Sequence, residues 1–174
     1  MGQDDTKHNL LFISKYPQII HEFTDAMKDR DIEIETAING IEAAAKIKKK
    51  NYDIVITGLS LEGYNGEQII TYLNKTAPST VCIIYTTTIS SAQLHFFINE
   101  RNVFRVFLRP VDFRGAFWEA LEEAYEYHAV QVKNEEDTGA RRQEQEKQES
   151  KQEQKAETAQ EQAPDQGPGR GRKR

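Results

Sequence analysis

Tyr52 to Gly66 reads YDIVITGLSLEGYNG. Its first part, Asp53-Ile54-Val55-Ile56-Thr57, is a short β-branched run with almost no polar interruption, which is how a strand buried on both faces of a parallel sheet reads. The run stops at Gly58. From Gly58 to Gly66 the chain carries three glycines and an Asn-Gly pair, then enters Glu67 to Leu73 with helical spacing. A central strand that hands its C-terminal end to a loop and then a helix is where open α/β sheets place their chemistry.

The same alternation extends in both directions. Upstream, Leu10-Leu11-Phe12-Ile13 is a buried strand ending at Ser14-Lys15. Pro17 suits the first position of a helix whose apolar residues are Ile19, Ile20, Phe23 and Met27. Ile32, Ile34 and Thr36 alternate with Glu33 and Glu35, the mark of a half-exposed strand at a sheet edge. Asn39 with Glu42 predicts a capping box for a helix through Ile41, Ala44, Ala45 and Ile47, ending in Lys48-Lys49-Lys50, where cations suit the dipole. Downstream, Val81 to Tyr85 is a fourth apolar run, followed by Thr86-Thr87-Thr88. A helix from about Ser91 to Glu100 places Leu94, Phe97 and Ile98 on one face. Val103 to Leu108 is a fifth strand, closed by Arg109-Pro110. Asp112 then caps a last amphipathic helix with Phe113, Phe117, Leu121, Ala124 and Tyr125 on its buried side. Five strand-helix pairs of this kind predict an α/β, doubly wound, five-stranded parallel sheet of the flavodoxin-like type, with right-handed crossovers.

Composition divides the 174 residues near residue 132. Up to there the chain holds 13 Lys/Arg against 18 Asp/Glu, a net of −5; from Lys133 onward there are 10 of each. A mildly acidic body argues against a nucleic-acid platform. No run of about 18 apolar residues exists and the start, MGQDDTKHN, is unlike a signal peptide, so we expect a cytoplasmic protein with no membrane partner. The lone Cys82 excludes an internal disulfide and reads as a small buried side chain. Past Val132 there is no aromatic residue and no Leu, Ile, Val or Met. Residues 131–174 therefore read as a disordered Gln/Glu/Lys-rich tail, with a solvated helix from about Arg141 to Gln162 as the rival. In that helix Lys147, Lys151 and Lys155 would align, as would Glu149, Glu153, Glu157 and Glu161, setting like charges in rows.

The five strand ends and the Asn65-Gly66 turn are similar to the receiver domain of two-component response regulators over residues 8–130. In that family an acidic pair closing the first strand binds Mg²⁺, and an aspartate closing the third strand accepts a phosphoryl group. A hydroxyl after the fourth strand and a lysine before a proline after the fifth sense it. The resemblance carries the acidic pair onto Ser14 and Lys15, the acceptor onto Gly58 and the metal's carbonyl ligand onto Ser60. It carries the hydroxyl onto Thr86, or Thr87 with a shift of one, the lysine onto Arg109 and the aromatic switch onto Val106. Glycine has no side chain to phosphorylate. A hard dication needs several oxygens, carboxylates among them, and Lys15 would repel it. Phosphoryl transfer is mostly positioning plus metal-borne charge stabilisation, so losing nucleophile and metal removes the reaction. Asp53 lies about 16 Å away at ~3.3 Å per residue, and Glu62, in the loop, is the nearer substitute.

What remains is a pocket of Lys15, Arg109, Ser14, Thr57, Ser60 and the threonines. Either it takes an anion, as phosphate, an acidic ligand or a partner's side chain, or Arg109 pairs with a nearby carboxylate. The function this implies is a pseudo-receiver: a signalling module in or derived from a two-component phosphorelay, independent of phosphorylation and binding proteins. Its partner would be a histidine kinase, another regulator, an effector or a second copy. The family's partner face would present Gln93, Phe96, Arg101, Arg105 and Phe107, with Phe96 off the apolar stripe and exposed. One rival is an atypical phosphoacceptor using a carboxylate or His21, His95 or His128. The other is nucleic-acid or scaffold binding through Arg170, Arg172, Lys173 and Arg174, which would be salt-sensitive and non-specific. No phosphate loop, metal-ligand spacing or nucleophile-base pair is present, so neither an enzyme nor a cofactor is expected.

Overall fold

The computed structural model describes residues 7–161. The five apolar runs are five parallel strands: β1 (His8–Ile13), β2 (Ile32–Ala37), β3 (Ile54–Thr57), β4 (Val81–Thr86) and β5 (Val103–Leu108). They lie in the order β2-β1-β3-β4-β5, with β3 at the centre and β2 at one edge, as the sequence predicts. Between them run α1 (Pro17–Met27), α2 (Gly40–Lys49), α3 (Gly66–Thr76) and α4 (Ser91–Glu100), and α5 (Ala116–Glu161) follows β5. Strict alternation divides the strand side chains between two layers. Leu10, Phe12, Ile54, Ile56, Ile83 and Tyr85 face one cluster with Phe23, Phe113, Phe117 and Leu121. Leu11, Ile13, Val55, Cys82 and Ile84 face the other with Ala43, Ile69, Ile70, Leu73 and Phe97. Each fully buried apolar side chain contributes ~1.5–3 kcal/mol, and the first layer adds ring geometry, with Phe12 stacked on Phe23 at 4.2 Å.

The helix starts follow from local chemistry. Pro17 opens α1, and Asn65 and Gln68 form a complete capping box on α3. On α2 the box is offset: Glu42 N donates to Asn39 Oδ1 at 2.8 Å, but the Glu42 carboxylate accepts from Ile38 N rather than Asn39 N. Asp112 accepts from Arg114 N within a turn, and α5 begins after it, at Ala116. At the β2 edge Lys50 bridges Glu33 (2.5 Å) and Glu35 (2.9 Å), and the Tyr52 hydroxyl donates to Glu35 at 2.8 Å.

The N-terminal end of the sheet is closed by a polar cluster. Asp53 Oδ1 meets His128 Nε2 at 3.2 Å. Its Oδ2 accepts from Asn9 N at 3.2 Å and lies 3.6 Å from His8 Nδ1. The other His128 nitrogen lies 2.8 Å from the Ser79 carbonyl oxygen. His128 is thus half-buried and engaged, not a solvated phosphoacceptor candidate; His21 and His95 are exposed. Burial works to raise the Asp53 carboxyl, but the hydrogen bonds from His128, Asn9 and His8 outweigh it and hold the group below its ordinary value. A carboxyl lowered on folding stabilises above its unfolded pKa of about 3.9 and loses that contribution as pH falls. Asp53→Asn is therefore expected to destabilise by ~1–3 kcal/mol at pH 7, a deficit that narrows below about pH 4. Urea unfolding at both pH values checks this, and a deficit constant with pH would contradict it.

Contacts divide the chain into residues 1–133 and 134–174. The disordered tail expected from 131 is corrected for residues 131–161, which continue α5. Nearly all residues from Arg141 to Glu161 are Arg, Gln, Glu, Lys or Ala, which lose little rotamer freedom in a helix. No proline interrupts them, and extending an existing helix needs no new nucleus. These effects exceed the few tenths of a kcal/mol set against them by like charges at i,i+4. Every side chain from Lys133 to Ala159 is exposed. The basic cluster Arg170, Arg172, Lys173 and Arg174 lies outside the described residues, within which no helix is long and apolar enough to cross a membrane.

Candidate functional site

Register brings the strand ends together. Ile13 pairs with Thr57 and Thr57 with Ile84, so β1 and β3 finish level while β4 runs two residues further, to Thr86. The ladder runs one residue further, with Gly58 N donating to Ile13 O at 3.1 Å and Arg109 N to Thr86 O at 2.8 Å. Ser14, Lys15, Gly58, Ser60, Thr86, Thr87 and Arg109 consequently line one cavity of about 270 Å³. Thr86 and Thr87 both line it. Thr57 does not: it is fully buried and its hydroxyl donates to Gly58 O. Glu62 is not among the lining residues; its carbonyl accepts from Gly40 N at 2.9 Å, which holds that part of the loop against α2.

Sequence reasoning missed four wall residues, Tyr16, Leu59, Leu61 and Tyr85. The Arg109 guanidinium stacks 4.6 Å from the Tyr16 ring and 5.9 Å from that of Tyr85. Lys15 Nζ lies 5.3 Å from the Tyr16 ring and 3.3 Å from Ser60 Oγ. Arg109 thus sits between two rings instead of pairing with a carboxylate. Neither Arg109 nor Lys15 forms an ion pair among the described residues. Burial raises the Tyr85 hydroxyl above its ordinary value; the Arg109 charge opposes this and Glu22 adds to it. The peptide bond between Arg109 and Pro110 is cis.

On α4 only Phe97 is buried; Leu94 and Ile98 are 41% and 40% exposed. The expected stripe is therefore rotated. Phe96, expected to be exposed, is half-buried against Phe97 and carries the Arg101 guanidinium 4.5 Å from its ring. The helix covers only a narrow strip of sheet, so one ring, with its neighbour, fills the contact. Gln93 serves the Ser90 capping box. Arg105 pairs with Glu123 at 2.7 Å, and Phe107 packs on Phe117 at 4.6 Å, within the core layer. The exposed apolar residues near this face are Leu94 and Ile98, which a helix-period reading assigns inward, and Leu108 at the end of β5. Val106 packs against the second core cluster.

The fold is that of known receiver structures. The signal receiver domain of an HD domain-containing protein from Pseudomonas fluorescens Pf-5 is 19% identical, with a TM-score of 0.67 over 71% of this chain and 98% of that one. A CheY-like receiver domain protein from Methanospirillum hungatei JF-1 is 18% identical, with a TM-score of 0.65 over 72% and 99%. The response regulator TrrA from Thermotoga maritima, in complex with Mg²⁺-BeF, is 21% identical, with a TM-score of 0.58 over 67% and 98%. No curated protein matches. The response regulator receiver domain matches residues 11–115, from β1 to the turn ahead of α5. The chain belongs to the response regulator receiver family.

Proposed function

We propose that this chain is a signalling module of two-component type that takes no phosphoryl group and acts by binding protein partners, in the cytoplasm. One observation carries the reading: at the end of β3, where the family places its acceptor carboxylate, stands Gly58, and the acidic pair is replaced by Ser14 and Lys15. The Mg²⁺ that the family implies does not fit this donor set. Hydroxyls and two cations surround the position, and no cluster of three or more His, Cys, Asp or Glu able to hold a metal exists among the described residues. A receiver domain is in general a non-enzymatic part, and nothing in the pocket supplies a nucleophile with a base beside it.

The test is exposure of the full chain to acetyl phosphate and Mg²⁺, followed by intact mass. The expected spectrum is unchanged; a stoichiometric phosphoryl adduct would end the reading. For the partner surface, Leu94 and Ile98 are the better candidates than Phe107, which is half-buried against Phe117, or the capping Gln93. Apolar side chains at the centre of an interface commonly carry more than about 1 kcal/mol each. Leu94→Ser with Ile98→Ser is expected to weaken capture of a signalling partner, or of a second copy, about tenfold or more. Capture that survives the double change would move the interface elsewhere.

A further inference from the structure

We propose that the cavity framed by Lys15 and Arg109 is a binding site for a small phosphate-type oxyanion, inorganic phosphate or a small phosphomonoester, held non-covalently and without a metal. This rests on the reading above for its consequence, a receiver answering to a ligand, but the binding itself does not depend on it.

The charge in the cavity is one-sided. Lys15 Nζ and the Arg109 guanidinium flank the same Tyr16 ring at 5.3 and 4.6 Å, so they are no further apart than about 10 Å, near the Debye length at 0.1 M salt. Each therefore feels the other, and neither has a carboxylate partner among the described residues. The body around them is net acidic, −5 up to residue 132, so this is a local inversion of sign and not part of a general basic surface. Glu22 is the carboxylate that acts on the neighbouring Tyr85 hydroxyl, and it bonds to neither cation.

The cations are also held in place. Arg109 is stacked against two rings, and Ser60 accepts a hydrogen bond from Lys15, so less side-chain entropy is lost when a ligand arrives. A guanidinium fork suits two oxygens of a tetrahedral anion, and an ammonium serves as a point charge beside it. The hydroxyls of Ser14, Ser60, Thr86 and Thr87 lie on the same lining and can donate or accept.

Size and shape limit the ligand. At about 270 Å³ the cavity falls just below the ~300–1,000 Å³ range of drug-sized sites, which admits a compact anion and excludes a dinucleotide. Gly58 leaves the floor open: a Cβ built there would have its nearest neighbours at 3.8 and 3.9 Å, all in ordinary contact. Where a family member's own carboxylate would stand, there is room for an oxyanion from solution.

The experiment is a titration of the ¹⁵N-labelled full chain with sodium phosphate in one arm and glycerol phosphate in the other, chloride keeping ionic strength constant. Saturable shifts at Lys15, Ser60, Thr86 and Arg109 are expected. The arm that saturates at lower concentration distinguishes the free ion from the ester. Arg109→Gln and Lys15→Gln should each raise the Kd at least tenfold, while Lys48→Gln on α2 leaves it unchanged; Lys15 is exposed, so its variant keeps the fold. Absence of saturable shifts in both arms, or equal affinity in the Lys15 and Arg109 variants, would overturn the site. A phosphoryl adduct from acetyl phosphate would instead overturn the proposed function, so the two failures are separate.

Discussion

Gly40→Ala is expected to cost roughly 3 kcal/mol or more, enough to leave a small domain partly unfolded. A Cβ at Gly40 would stand 1.8 Å from the Tyr64 carbonyl oxygen, 2.6 Å from its carbonyl carbon and 2.7 Å from its nitrogen. All three are backbone atoms and cannot turn aside as a side-chain tip would. The Gly40 amide is meanwhile tied to Glu62 O, so relieving the clash means giving up that hydrogen bond and lifting the loop off the first turn of α2. Urea unfolding followed by Trp118 fluorescence measures the loss. Gly139→Ala is the contrast: nothing lies within 4 Å of a Cβ there, and alanine in a helix interior gains roughly 0.5–1 kcal/mol over glycine. A Gly40→Ala loss below about 1 kcal/mol would mean that the loop yields.

Ser14→Asp, Lys15→Asp and Gly58→Asp together are expected to give a chain that gains a phosphoryl group from acetyl phosphate and Mg²⁺. The geometry favours this because Gly58 has space for a side chain and the ends of β1 and β3 are level. Without a dication three carboxylates at one site repel one another, so the variant should melt below the parent and recover in Mg²⁺. Gly58→Asp alone should stay unmodified, since Lys15 and Arg109 would pair with the new carboxylate and no metal site would exist. Phosphorylation of that single variant would show that the two cations do not bar the chemistry. A triple variant restored by Mg²⁺ yet never modified would show that the acceptor position has been misplaced.

The strand order and the depth of the core were legible because β3 and β4 are continuous apolar runs, while β2 alternates Ile and Glu and could only be an edge. The helix starts were legible where proline or Asn-Gly set them. Three features were not. Periodicity on α4 cannot tell which of Leu94, Phe97 and Ile98 meets the sheet, because a helix at the rim buries less than its apolar stripe offers. The Asp53–His128 contact joins residues 75 positions apart, and nothing local to either announces it. Likewise Arg109 could be placed at the pocket from the Arg-Pro pair, yet its resting place between Tyr16 and Tyr85 depends on two different strand ends. The helix over residues 131–161 has no apolar stripe to announce it, and rests instead on the uniformly high helix propensity of its residues.

Cys82 carries a consequence for how the molecule can be watched. The thiol lies 1% exposed in the second core layer, and burial pushes its pKa up to about 12, so in the closed sheet it presents almost no thiolate. It is the single cysteine of the chain. A thiol reagent in solution therefore meets it only during moments when β4 parts from its neighbours. The speed of labelling becomes an internal clock of sheet opening, read without any inserted probe.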